Sequence, residues 1–265
     1  MFEKLMQYFE PYETGLSVLI EDLDSGETIS WNADCRFPSA SIIKYPILYC
    51  FLEKVTNGEE SLKDTHVLRE TDKVGESVYD TGILRELHEG IEITMEDCLR
   101  LMIDVSDDTA TNIIMKRMSF RYMNDAFIKY GLVHTSVGRY MMDYAGIEKG
   151  YDNFISPQDT NRLSKLLLSN SYLSGECREF ALDVLFKQRE NDGFNKLFPD
   201  EVPYAHKCGC IRQYLLDHEC GILYWNGKPR LTINFCSKGI RGSRELMNRA
   251  GREIYTILYR TGNCE

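Results

Sequence analysis

Hydrophobic positions change period twice within the first forty residues. Phe2, Leu5, Met6 and Phe9 fall on one helical stripe, whereas Leu16, Val18 and Ile20 alternate as in a half-buried strand. Asp24-Ser25-Gly26 then supplies a turn into a second short strand at Glu27–Trp31. After Phe37 an apolar run opens a helix that carries Pro46 near its start, leaving the Ile42 carbonyl without its usual N–H partner. From about 46 to 190 the pattern is mostly helical, with Leu99, Met102 and Ile103, then Ile113, Ile114, Met115 and Met118 at helical spacing. Ser156-Pro157-Gln158-Asp159 reads as a helix start: a serine cap, proline at the first position and an acid two residues on. The stretch 131–156 shows little periodicity, and loops that long inside a compact domain are usually functional. Strand patterns return at Val202–Cys210, Gly221–Trp225 and Leu231–Cys236, with Asn226-Gly227 as a hairpin turn between the last two. A final stripe of Leu246, Ala250, Ile254 and Ile257 predicts a helix over about 242–260. Two strands at the front and three at the back predict an α+β fold: one antiparallel sheet flanked by terminal helices, with an all-helical insertion. The expected division is 1–40 with 192–265 for the sheet part and 41–191 for the helical part.

Composition narrows the function classes. With 265 residues, 43% hydrophobic and 27% charged, the chain can bury a sizeable core. A formal net charge of -10, without a basic stripe, argues against nucleic acid and anionic membranes as partners and leaves a small-molecule substrate. Nine cysteines with no framework spacing, and no secretory pattern at residues 1–7, predict reduced thiols and a cytosolic protein. No apolar run reaches membrane-spanning length.

Candidate chemistry begins at Ser41 and Lys44. Three residues apart on a helix, they share one face, where a lysine of lowered pKa could take the proton of the serine hydroxyl. A Ser-x-x-Lys spacing arises by chance about once in a chain this long, so it needs company. The company is Ser106-Asp107-Asp108, between two helical patterns, and Lys207-Cys208-Gly209 on a predicted strand. Three ordered motifs of this kind resemble the penicilloyl-serine enzymes, and class A β-lactamases most, with Gly82-Ile83-Leu84 and Met102–Asn112 similar to the surrounding sequence of that family. The resemblance implies a site in the cleft between sheet and helices; no cofactor and no metal are expected. It implies Ser41 as acylated nucleophile, Lys44 as proton acceptor or relay, Ser106 as proton donor to the leaving nitrogen, and Lys207 as holder of the substrate carboxylate. It also implies Asp108, Cys208, Gly209 and Cys210 as substrate-binding positions, with the N–H groups of Ser41 and Cys210 forming an oxyanion hole. Gly209 would let substrate lie against the strand.

Three positions depart from that pattern. Asp108 replaces an asparagine whose amide donates to substrate, and a carboxylate beside Lys44 favours the charged amine. Cys208 replaces a threonine and donates far more weakly. In Gly138-Arg139-Tyr140-Met141-Met142-Asp143, aligned on Arg139, Met141 stands where the family's glutamate activates the deacylating water. Asp143 and Glu148 are nearby acids, and Arg139 is expected to pair with Asp152 or Asp159. Acylation without efficient deacylation is therefore the expectation. Two rivals remain: a metal site among His206, Cys208, Cys210, His218 and Cys220, disfavoured by its spacing, and a binding or scaffold protein with a degenerate pocket.

Overall fold

The computed structural model describes residues 3–75 and 82–262. In chain order the elements are α1 (Glu3–Phe9), β1 (Leu16–Asp22), β2 (Thr28–Trp31), β3 (Phe37–Pro38) and α2 (Lys44–Thr56). Next come β4 (Thr65–Val67), β5 (Glu92–Thr94), α3 (Met95–Asp104), α4 (Asp108–Arg117), α5 (Phe120–Tyr130) and α6 (Tyr144–Glu148). The chain closes with β6 (Phe154–Ile155), α7 (Pro157–Leu168), α8 (Gly175–Phe186), β7 (Tyr204–Ile211), β8 (Leu216–Trp225), β9 (Lys228–Lys238) and α9 (Ser243–Gly262).

Five strands form one antiparallel sheet in the order β2-β1-β9-β8-β7, so β7 is an edge strand. The sequence-first and sequence-last strands meet in the middle, which forces everything between β2 and β7 to leave the sheet and return. One sheet face buries Leu5, Phe9, Phe235, Ile233 and Ile254 against α1 and α9; Phe2 lies outside the described residues. The other face contributes Ala205, Cys220, Ile222 and Cys236 to a larger core shared with the helices. At the centre of that core is α2, buried from Lys44 to Glu53 on every side. A helix that is apolar all round must be wrapped by others, and each large side chain it buries is worth about 1.5–3 kcal/mol.

Local chemistry sets the boundaries. Asn226 (φ 51°) and Gly227 (φ 75°) both take left-handed backbone, as a tight hairpin between β8 and β9 requires. Ser156 caps α7 by accepting from the Asp159 N–H, with Pro157 in the first turn. The structure departs from expectation in four places. Residues 131–156 hold a short helix, α6, and a strand, β6, that pairs with β3, so the stretch is partly ordered by pairing that sequence periodicity cannot reveal. A small hairpin-like pair, β4 with β5, sits in the helical region. Strand β8 starts at Leu216, five residues earlier than predicted, because a mix of polar residues and glycine hides its alternation. Finally, the residues around Ser41 form a 3-10 turn, Ala40–Ile43, ahead of α2, and the Ile42 carbonyl accepts from the Lys44 N–H.

Candidate active site

The 3-10 turn carrying Ser41 is clamped between the sheet edge and the helices. A Cβ placed on Gly209 would lie 2.7 Å from the Ser41 nitrogen and 3.1 Å from that of Ile42. Gly209 is therefore required for β7 to approach the turn itself, a role more direct than leaving space for substrate. Ala40 (φ 44°) and Ser106 (φ 57°) hold left-handed backbone with a Cβ. Such strain costs about 1–3 kcal/mol per residue and persists only where surrounding contacts enforce it.

Lys44 is fully buried and sees four oxygens: Ser106 carbonyl at 2.7 Å, Asp108 Oδ1 at 2.7 Å, Ser106 Oγ at 3.0 Å and Ser41 Oγ at 3.2 Å. An ammonium has three N–H groups, so four acceptors cannot all be served at once, and the longest contact is the one to Ser41. A neutral amine carries a lone pair that can accept the Ser41 hydroxyl proton at this distance. Burial, the largest influence, pushes the Lys44 amine below its ordinary range; Asp108 opposes that shift and the charge on Lys207 adds to it.

The Ser106 segment is fixed by Asp107, which accepts from Ala110 N at the start of α4 and from Ile83 N and Leu84 N at 2.7 Å each. Gly82 packs directly against Asp107, and a Cβ there would come within 2.4 Å of its carboxyl. Lys207 is buried on β7 and donates to the Cys208 carbonyl at 2.8 Å. Cys208 is buried too, and its thiol donates to the Glu190 carboxylate at 3.1 Å. Burial, above all, pushes that thiol up, and the smaller influences of Lys207 and Glu190 act on it in opposite directions. Cys210 is half-buried, and burial raises its thiol as well. Of the four groups given catalytic expectations, Ser41 alone is partly exposed, while Lys44, Ser106 and Lys207 are buried.

The loop of residues 138–153 is ordered by groups the sequence reading missed. Asn112, four residues after Asp108 and hence on the same face of α4, brackets Met141: its amide donates to the Met141 carbonyl at 3.1 Å and accepts from the Met141 N–H at 2.8 Å. Asn153 accepts from Gly138 N and Arg139 N. Arg139 pairs with Asp152 at 2.8 Å, whereas Asp159 is taken by His134 N and Thr135. Asp143 caps α6 by accepting from Gly146 N, and Glu148 is exposed. The Met141 side chain is buried.

The histidine and cysteine cluster does not converge. His206 and Cys208 lie on one face of the β7–β8 ladder, while His218 and Cys220 lie on the other. His206 contacts the Tyr204 and Glu190 carbonyls, and His218 contacts those of Asp217 and Pro38. Among the described residues no group of three His, Cys, Asp or Glu side chains is placed to hold a metal ion. No described helix is long and apolar enough to cross a membrane, and the described cysteines are free thiols.

A β-lactamase of Phocaeicola vulgatus is 25% identical over 208 residues, which span 75% of this chain and 63% of that protein. Among solved structures, a β-lactamase of Sphaerobacter thermophilus superposes with TM-score 0.85 at 23% identity, covering 97% of this chain and 98% of its own. A point mutant of PBP-A, solved as an acyl-enzyme complex with penicillin G, superposes with TM-score 0.85 at 25% identity over 97% of this chain and 96% of its own. The fold is thus that of β-lactamases and transpeptidases. The profile of the Beta-lactamase enzyme family matches residues 1–258, and the chain belongs to that family.

Proposed function

We propose that this protein is a serine acyl-transfer enzyme in which Ser41 attacks a β-lactam amide or a related amide or ester. The observation that carries the reading is the placement of one buried amine, Lys44, at 3.2 Å from Ser41 Oγ and 3.0 Å from Ser106 Oγ. In the forward step neutral Lys44 takes the Ser41 proton as Oγ attacks the acyl carbon. The developing oxyanion meets the N–H groups of Ser41 and Cys210. As the C–N bond breaks, charged Lys44 returns that proton to Ser106 while Ser106 passes its own to the leaving nitrogen, so both end as they began, and Lys207 lowers the cost of negative charge in the cleft.

For the second half of the cycle, the acids of the 138–153 loop supply no equivalent group among the described residues. Met141 has no proton to accept, Asp143 serves a helix cap, and Glu148 is exposed. Turnover of the acyl-enzyme is accordingly slow, and the protein acts more as an acyl acceptor than as a hydrolase. A non-hydrolytic sensor with the same covalent step is the alternative reading, and Asp108 favours it by stabilising the charged form of Lys44. Intact-mass measurement after mixing with benzylpenicillin tests the proposal. A mass increase equal to the whole penicillin, lost in Ser41→Ala and persistent in the wild type, is expected. No adduct, or rapid return to the free mass, would overturn the acylation or the slow-turnover part respectively.

A further inference from the structure

His218 is a buried histidine that neither a metal site nor the proposed chemistry uses. It lies on β8 directly opposite Gly209, the residue whose missing side chain lets β7 reach the Ser41 nitrogen. Its ring meets three polar groups: the Pro38 carbonyl at 2.8 Å from Nε2, and the Ser237 N–H at 3.2 Å and the Asp217 carbonyl at 2.8 Å from Nδ1. Burial, above all, pushes its pKa from 6.5 down to about 4, so the ring carries a single N–H at neutral pH. Its neighbours fix where that hydrogen sits. The Pro38 carbonyl can only accept and the Ser237 N–H can only donate, so Nε2 bears the hydrogen and Nδ1 the lone pair. The Asp217 carbonyl is served separately, by the Ser237 hydroxyl at 2.9 Å. The Phe37 ring meets the imidazole edge-on, with centroids 5.8 Å apart, and fixes its plane.

Pro38 opens the segment that presents the nucleophile. The next residue, Ser39, donates its N–H to the Asn153 carbonyl at 2.8 Å, and its own carbonyl accepts from the Ile42 N–H at 3.1 Å. Ala40, between Ser39 and Ser41, holds φ at 44°, a conformation that alanine keeps only where its surroundings enforce it. The residues leading into that strained position are gripped from two sides, by the sheet through His218 and by the 138–153 loop through Asn153. We propose that His218 is a positioning residue for the nucleophile: its Nε2–H bond to the Pro38 carbonyl, with Nδ1 locked by the Ser237 N–H, holds the turn in the shape that keeps Ser41 Oγ at Lys44. This rests on the reading of Ser41 as nucleophile. His218 acts through the backbone of the turn, and a displacement of about 1 Å at a reacting group can cost about 10²-fold in rate.

Two variants divide the functions of the ring. Glutamine places an amide N–H near the position of Nε2, whereas the shorter asparagine places its amide near Nδ1 and falls short of Pro38. Benzylpenicillin acylation is followed by intact mass over a concentration series for the wild type, His218→Gln and His218→Asn, which separates the maximal rate from the half-saturating concentration. His218→Asn is expected to lower the maximal rate by about 10- to 10²-fold with half-saturation unchanged within a few-fold, and His218→Gln to stay within a few-fold of the wild type in both. Equal maximal rates in the two variants, a slower His218→Gln, or a loss carried by the half-saturating concentration overturns the inference, because a packing role would not follow the reach of one N–H. Where His218→Asn does not fold, His218→Phe, which keeps a ring and lacks the N–H, takes its place with the same expectation. If benzylpenicillin does not label the wild type, the acyl-transfer reading fails, and the positioning role is read from amide hydrogen exchange. The Ser39 and Ile42 N–H groups should then exchange about tenfold faster in His218→Asn than in His218→Gln or the wild type. Equal exchange in the two variants overturns the inference.

Discussion

Two sides of the Ser41 site are built with comparable care and different chemistry. On the α2–α4 side, Lys44, Ser106 and Asp108 form a buried polar cluster around a titratable amine. On the 138–153 side, Asn112, Asn153 and the Arg139–Asp152 pair fix the backbone with as many hydrogen bonds, yet the side chain they present is Met141. Positioning and reactivity are separable: a loop can be held in place without carrying a group that moves a proton. That separation is the physical basis for expecting a covalent step without an efficient second one.

The comparison is broken most severely by Lys44→Met. Removing the amine should slow acylation by about 10²–10⁴-fold and leave Asp108 as an unpaired buried carboxylate, costing about 3–5 kcal/mol of stability. Intact mass and urea unfolding measure the two effects, and an unchanged labelling rate would remove Lys44 from the chemistry. Next in size, Met141→Glu places a base on the ordered loop and should shorten the acyl-enzyme lifetime by about 10²-fold while leaving the labelling rate within a few-fold. Decay of the adduct mass decides it; an unaltered lifetime would mean that the loop does not aim this side chain at the ester.

Asp108→Asn sharpens the contrast from the other side. The carboxylate raises the Lys44 amine, so its loss lets burial lower that amine further, and more of it is neutral at a given pH. The rise of the acylation rate with pH should move to lower pH, and each pH unit of that movement corresponds to a gain of about tenfold at neutrality. A pH profile that stays in place would contradict the role given to Asp108.

The smallest expected effect on labelling comes from the outer face of the sheet, at Glu219. Burial, with a further push from Asp192, raises its carboxyl from 4.5 to about 7. The folded state therefore holds a proton that the unfolded chain has already lost. Its stabilising contribution is complete below about 4.5 and declines as pH rises through about 7, by up to about 1.4 kcal/mol per pH unit. Glu219→Gln should flatten that part of the unfolding profile and change Ser41 labelling little. Denaturant melts between pH 5 and pH 8 test the sign; a slope that persists in the variant would point to another group.

Much of the architecture was legible because it is written in local periodicity. The 3.6-residue stripe of α9, the alternation of β1, the Asn226-Gly227 turn and the Ser156-Pro157 start each depend on residues a few positions apart. Features that depend on distant partners were not legible. The pairing of β3 with β6, the bracketing of Met141 by Asn112, and the contact between Cys208 and Glu190 join positions separated by 18 residues or more. Asn112 left one faint signal, its i+4 spacing from Asp108; Glu190 left none.

The sequence by itself determined which groups exist: a serine and a lysine one turn apart, a second serine, a strand lysine, and a methionine where an acid was expected. It also determined the longer strands and helices, since apolar period is a local property. Only the tertiary structure decided which charges touch. Lys44 meets Asp108 across 64 positions of chain, and Glu190 meets Cys208 across the sheet edge. Charge interactions fall off with distance in space and not along the chain, so proton affinities and charge preferences belong to the folded state alone.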